Sequence, residues 1–265
     1  MPVKWKQLLG LPLLVLLGAM LLTLLCAGQL EKIYRSLSYY FGEPTPAEQQ
    51  VMAYARENGV SYAEYPASLI GLLERNPETE EFVLGYPFRE EARADLSEFE
   101  NAGSVPLFLQ WDRRWGYETY GSDVLGITGC GPTCLAMAGY WFTGEERFAP
   151  HIVAEFSQRS GYYEPGYGSS WTLISEGGPA LGLDVTEIPL VKSRMVDNLE
   201  VGNLIICAMG PGAFTREGHY ILLVGMEDGK FRVNDPNSRE NSGRLWSYEE
   251  MEDEIRNLWV LRYFG

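Results

Sequence analysis

Histidine is scarce in this chain. Only two occur, His151 and His219, beside four cysteines. Neither an HExxH helix nor a CxxC pair is present, so the zinc sites of familiar spacing are excluded and no metal or other cofactor is expected. Positive charge is also short, with 21 Lys and Arg against 36 Asp and Glu and a formal net charge of −15. So acidic a surface repels phosphate backbones, which excludes nucleic acid as a partner. It repels anionic headgroups too, so any membrane contact must be hydrophobic. A disulfide framework is not expected either. Cys26 lies in an apolar segment, and Cys130, Cys134 and Cys207 are an odd set. Cys130 and Cys134 sit a helical turn apart, with Cβ directions poorly suited to bridging.

What the amino-terminal end does have is a long apolar run, Leu8 to Gly28. At ~1.5 Å per residue a helix of it spans roughly 30 Å, the thickness of a bilayer core. Lys4 and Lys6 precede it, which favours a cytoplasmic amino terminus. Residues 1–30 are therefore expected to be an uncleaved single-pass anchor, with the globular part outside the cytoplasm. A cleaved signal peptide competes, since Ala27 and Gly28 are small, but the apolar run exceeds the usual ~7–15 residues. A lipoprotein signal ending at Cys26 also competes, but Leu25 is large for the position before that cysteine.

Residues 31–104 are acidic and read as a helical linker. Helices are expected over Pro46 to Asn58, Pro66 to Arg75 and Thr79 to Leu84. A lid or propeptide over an active site is the sharper alternative for this stretch. From Val105 onward helices and strands mix. Gly131 to Phe142 is hydrophobic almost all round, hence a buried helix. Pro150 to Arg159, Trp171 to Leu181 and Tyr248 to Arg256 read as further helices. Asn203 to Met209, His219 to Met226, Lys230 to Asn234 and Leu258 to Tyr263 read as strands, with Asp228-Gly229 as a hairpin turn. Helices first and an antiparallel sheet after them make an α+β layout for residues 105–265.

Four short motifs carry chemistry. Gly129-Cys130-Gly131-Pro132-Thr133-Cys134 opens the buried helix. Its glycines let a substrate backbone approach the sulfur, Pro132 suits a first helical turn, and the helix dipole favours a thiolate. Cys134, one turn further in, reads as core. Gly218-His219-Tyr220 puts an imidazole at the mouth of a buried strand, where it can act as a base. His151 lies beside Pro150 without a glycine-rich setting and reads as structural. Val233-Asn234-Asp235-Pro236 ends the next strand, and the hairpin brings Asp235 back towards His219, where it can orient the ring. An Asp-Pro turn is the plain alternative. Gln110-Trp111-Asp112 lies some twenty residues before Cys130 and offers a side-chain amide for an oxyanion. Taken alone, a surface glutamine would read the same.

With these residues in view, the carboxy-terminal part resembles papain-like cysteine peptidases related to the bacteriocin-processing (double-glycine leader) peptidases, in their stand-alone peptidase-like branch. Gln110-Trp111-Asp112 with Arg114-Trp115, then Gly129 to Thr133, Gly218-His219-Tyr220 and Asn234-Asp235-Pro236 occur in family order, over roughly Val105 to Tyr263. The resemblance implies a papain-like fold, Cys130 as nucleophile, His219 as base, Asp235 as orienter and Gln110 as oxyanion donor. Gly129 stands where the exporter peptidases carry Asp. No Walker glycine-lysine motif is present, so bacteriocin export is not implied. The expected activity is hydrolysis of a peptide amide, with a peptide or cell-wall peptide as substrate. A peptidoglycan amidase or endopeptidase, a transpeptidase with the same triad, and an idle peptide-binding surface domain are the rival readings.

Overall fold

A computed structural model of the chain describes Gly42 and residues 44–265, residue 94 excepted. The expected membrane anchor, Leu8 to Gly28, lies outside the described residues. Among those described, no helix is long and apolar enough to cross a membrane. The described residues divide into two compact units, one ending at residue 70 and one over residues 71–265.

In the first unit, helix α1 (Pro46–Asn58) is fixed at its start by a capping box. The Thr45 hydroxyl accepts from Glu48 N and the Glu48 carboxylate accepts from Thr45 N, and Pro46 takes the first helical position. A second capping box, Ser61 with Glu64, opens a short 3₁₀ turn. Helix α2 (Ala67–Arg75) runs across the division between the units.

The second unit takes in residues 71–104, which the sequence groups with the linker, together with everything downstream. Helix α3 (Glu80–Leu84) is followed, after two 3₁₀ turns, a small hairpin (Thr119–Tyr120 with Asp123–Val124) and a single helical turn (Leu125–Thr128), by helix α4 (Cys130–Thr143), in which Gly131 to Tyr140 are all buried. Helix α5 (Pro150–Arg159) packs on α4, and a Cβ at Gly139 would fall on the ring of Phe148, in the 3₁₀ turn that precedes α5. The remaining elements are strand β1 (Asp184–Glu187), helix α6 (Lys192–Glu200), strands β2 (Leu204–Met209), β3 (His219–Glu227) and β4 (Lys230–Asn234), helix α7 (Arg239–Ser242), and strands β5 (Leu245–Trp246) and β6 (Ile255–Arg262).

The six strands form one antiparallel sheet in the order β1-β6-β2-β3-β4-β5. Strand β2 is central and buried along its whole length, as its unbroken apolar run requires. Leu204, Ile206, Ala208, Tyr220, Leu222, Trp259 and Leu261 share a core with Leu135 to Ala138 of α4. Ile205, Cys207, Met209, Ile221, Leu223 and Val260 form the other core, with Met195 and Leu199 of α6. One helix therefore covers each face, and the α+β expectation stands. The β3–β4 hairpin turns at Asp228 (φ 51°) and Gly229 (φ 73°), the left-handed pair that a tight two-residue turn needs.

Two expected elements differ. Trp171 to Leu181 is not a regular helix: Leu173–Gly177 is a π turn, followed by a single turn over Gly178–Ala180. The helix expected over Tyr248 to Arg256 stops at Met251, because Ile255 is already paired with Met209 in the sheet. Strands β1 and β5 and helices α6 and α7 have no counterpart in the sequence reading.

Candidate active site

Cys130 is the first residue of α4 and is half-buried. The chain enters α4 at Gly129 with so tight a bend that a Cβ there would collide with the Leu125 carbonyl and side chain. A side chain has no room at this position without a shift of Leu125. Gly131, on the other side, lies against Ser169, whose Oγ would be 2.6 Å from an added Cβ. Ser169 belongs to a small hairpin, Tyr163–Glu164 with Gly168–Ser169. Its hydroxyl meets Tyr120 Oη at 2.8 Å, and its carbonyl accepts from Tyr220 Oη at 3.1 Å. Burial pushes both tyrosines up, and the charge of Cys130 adds to the effect, so they act as neutral hydrogen-bonding walls beside the sulfur.

His219 opens β3, opposite Met209 of the fully buried strand β2, so its backbone is fixed. Its ring is buried, and Nε2 lies 2.7 Å from Asp235 Oδ1. The Cys130 side chain also favours the charged ring. With Nε2 engaged by the carboxylate, Nδ1 is the ring nitrogen left for the sulfur. Burial alone would drive His219 down. The Asp235 charge and hydrogen bond, followed by those of Cys130, override it and push the imidazole up to about 10. The ring therefore holds its proton at neutral pH.

Asp235 is almost wholly buried, one residue beyond the last β3–β4 ladder pair, Leu222 with Asn234. Every carboxylate oxygen is engaged. Oδ1 accepts from His219 and from Asn237 N at 2.8 Å, and Oδ2 accepts from Asn241 Nδ2 at 2.8 Å. The Asp235 N–H donates to Ser242 Oγ at 2.9 Å. Asn234 turns the other way and donates to the Pro106 carbonyl at 2.9 Å, joining the strand end to the chain before Gln110.

The structure thus brings Cys130, His219 and Asp235 together, as the three motifs lead one to expect. Gln110 is buried beside the turn that precedes Cys130. Its Nε2 donates to the carbonyls of Gly126 at 2.9 Å and Ile127 at 3.2 Å, while Oε1 is buried without a protein partner. The rest of that motif is structural. The Trp111 indole donates to the Asn237 carbonyl at 3.0 Å, the Gln110 N–H donates to the Pro236 carbonyl at 2.7 Å, and Asp112 binds Arg114 at 2.6 Å.

The other cysteines and His151 stand apart. Cys134 and Cys207 are fully buried, and burial pushes both thiols up. Burial pushes His151 down, which keeps it neutral. Among the described residues no cluster of His, Cys, Asp and Glu can hold a metal ion. Sequence reasoning missed Asn241, Ser242, Ser169 and Tyr120, none of which lies in a distinctive motif.

Residues 103–263 match the model of the Peptidase_C39 like family. Two solved structures resemble the chain. The peptidase domain of Streptococcus ComA, a bi-functional ABC transporter involved in a quorum-sensing pathway, gives a TM-score of 0.40 at 20% identity, covering 51% of this chain and 92% of that domain. A C39-like peptidase from Bacillus anthracis gives 0.37 at 12% identity, covering 61% and 96%. No curated protein matches. On the family match, the chain belongs to the Peptidase_C39 like family and is a cysteine peptidase-like hydrolase.

Proposed function

We propose that this protein hydrolyses peptide amide bonds outside the cytoplasmic membrane, with Cys130, His219 and Asp235 as its catalytic triad. The observation that carries the reading is the buried His219 ring, bonded to the Asp235 carboxylate at 2.7 Å and raised further by the Cys130 side chain. An imidazole pushed up to about 10 beside a sulfur at a helix head is suited to an imidazolium–thiolate pair.

In the proposed reaction the Cys130 sulfur attacks the amide carbonyl carbon, and the carbonyl electron pair moves onto oxygen. The backbone amide at the head of α4 faces the developing charge. Gln110 joins it by releasing its longer bond, 3.2 Å to Ile127, and turning that N–H towards the oxyanion. The oxyanion collapses, the C–N bond breaks, and His219 gives its Nδ1 proton to the departing amine. A thioester remains. Water then attacks it, losing a proton to Nδ1, and the acid leaves as the thiolate reforms. Asp235 keeps the ring in register and stabilises its cation throughout.

Placement outside the membrane rests on the apolar run Leu8 to Gly28 with Lys4 and Lys6 before it. The substrate class is a peptide, including the peptides of a cell wall. Iodoacetamide or an epoxide inhibitor is expected to label Cys130 in the native protein well ahead of Cys134 and Cys207, read by peptide mass spectrometry. Equal labelling of the three would sink the proposal. The substrate follows from comparing wild type with Cys130→Ala on a peptide library and on purified cell wall.

A further inference from the structure

The family match begins at residue 103, yet the loop that carries Asp235 is held from outside it. Asn76 donates its side-chain amide to the Asn237 carbonyl at 2.6 Å. Two residues on, the Glu78 carboxylate takes three donors from one stretch of that loop. These are the Ser238 hydroxyl at 2.9 Å, the Arg239 N–H at 2.8 Å and the Glu240 N–H at 3.2 Å. Bonds from backbone N–H and hydroxyl groups to a carboxylate are charge-assisted and about twice as strong as neutral ones.

The short segment that presents this carboxylate is itself fixed. Asn76 Oδ1 accepts from Glu78 N at 3.1 Å, and the buried Thr79 hydroxyl donates to the Asn76 carbonyl at 2.7 Å. On the far side, the held stretch leads directly to the catalytic carboxylate. Ser238 Oγ, which donates to Glu78, accepts from Asn241 N at 3.1 Å. Asn241 Nδ2 in turn donates to Asp235 Oδ2. Ser242, at the end of the same turn, accepts the Asp235 N–H.

We propose that Glu78, with Asn76, is a positioning residue of the active site: it braces the 237–242 loop from upstream of the family domain, and so holds Asp235 against His219. The functional unit then begins before residue 76, within the stretch that the sequence assigns to a linker. Glu78 touches no reacting atom. It acts through Asn241 and Asp235, and the proposal rests on the triad reading above.

The test uses the full chain and two readouts, the NMR titration of the His219 imidazole and the rate of Cys130 alkylation by iodoacetamide at neutral pH. Glu78→Ala is expected to move the His219 midpoint down by about one pH unit or more and to slow alkylation about tenfold, because a looser Asp235 stabilises the imidazolium less. Glu78→Gln keeps one acceptor oxygen but sets an amide against the Arg239 N–H, so a loss of about threefold is expected. Met195→Ala, in the core on the opposite face of the sheet, lowers stability without moving His219 and separates bracing from general loosening. If Glu78→Ala does not fold, Glu78→Gln carries the test. A His219 midpoint and alkylation rate indistinguishable from wild type in the folded Glu78 variants overturn the brace. A wild-type Cys130 no more reactive than free glutathione overturns the triad reading instead.

Discussion

Replacing Asp235 by Asn probes the central electrostatic relation of this site. His219 is pushed from an ordinary 6.5 to about 10. At ~1.4 kcal/mol per pH unit, that is roughly 5 kcal/mol in favour of the imidazolium over the neutral ring in the folded protein. Burial is the largest single influence and acts against the cation, while the Asp235 charge is the largest in its favour. An Asn side chain keeps an oxygen for His219 Nε2 and Asn237 N, and the Asn241 amide can turn its oxygen to the new NH2 group. The geometry is thus largely kept while the charge is removed.

Burial then prevails over the weaker contribution of Cys130, so His219 in Asp235→Asn is expected to titrate at or below its ordinary value, about 3.5 units or more lower. At pH 7.5 the ring becomes neutral, the proton for the leaving amine is lost, and kcat/KM falls by roughly 10²–10⁴-fold. Because the chain has only two histidines, imidazole NMR can follow His219 directly, with His151→Ala to assign the signals. Stability should respond with a definite sign. The folded value lies above the unfolded one, so this contribution is fully present below pH 6.5 and is lost as pH rises through about 10. Wild type should therefore lose stability across that window, and the variant should not. A variant midpoint within one unit of wild type would refute the assignment of Asp235 as the source of the shift.

Two further substitutions test separate parts of the site. Gln110→Ala is expected to lower kcat roughly 10²-fold while leaving the His219 titration in place, because it removes an oxyanion donor and no charge; an unchanged kcat excludes Gln110 from the reaction. Gly129→Ala forces a Cβ into the Leu125 carbonyl and should cost about 1–3 kcal/mol, read as a lowered Tm, with an unchanged Tm counting against the tight entry into α4.

How much of this was legible in the sequence depended on how far each interaction reaches along the chain. Helix α4 and strands β2 and β3 show themselves as long apolar runs because each is buried on nearly every side. The Asp228-Gly229 turn shows itself because only a few residue pairs tolerate two left-handed positions. The helix expected over Tyr248 to Arg256 fails where tertiary pairing overrides local preference: Ile255 is 6% exposed, opposite Met209, and gains more from the sheet than from another helical turn. Over Trp171 to Leu181, the Gly177-Gly178-Pro179 run combines weak helix formers with a residue that has no N–H to donate, and Gly178 N bonds back to Leu173, five residues away. Cys130, His219 and Asp235 could be picked out because each sits in a motif whose neighbours suit the chemistry proposed for it. Glu78 could not be found. Its meaning lies in a hydrogen bond to a residue 160 positions away, in an acidic stretch where one more carboxylate carries no local signal. A catalytic group can thus be read from the company it keeps in sequence, whereas the group that steadies it is visible only once the chain has folded back on itself.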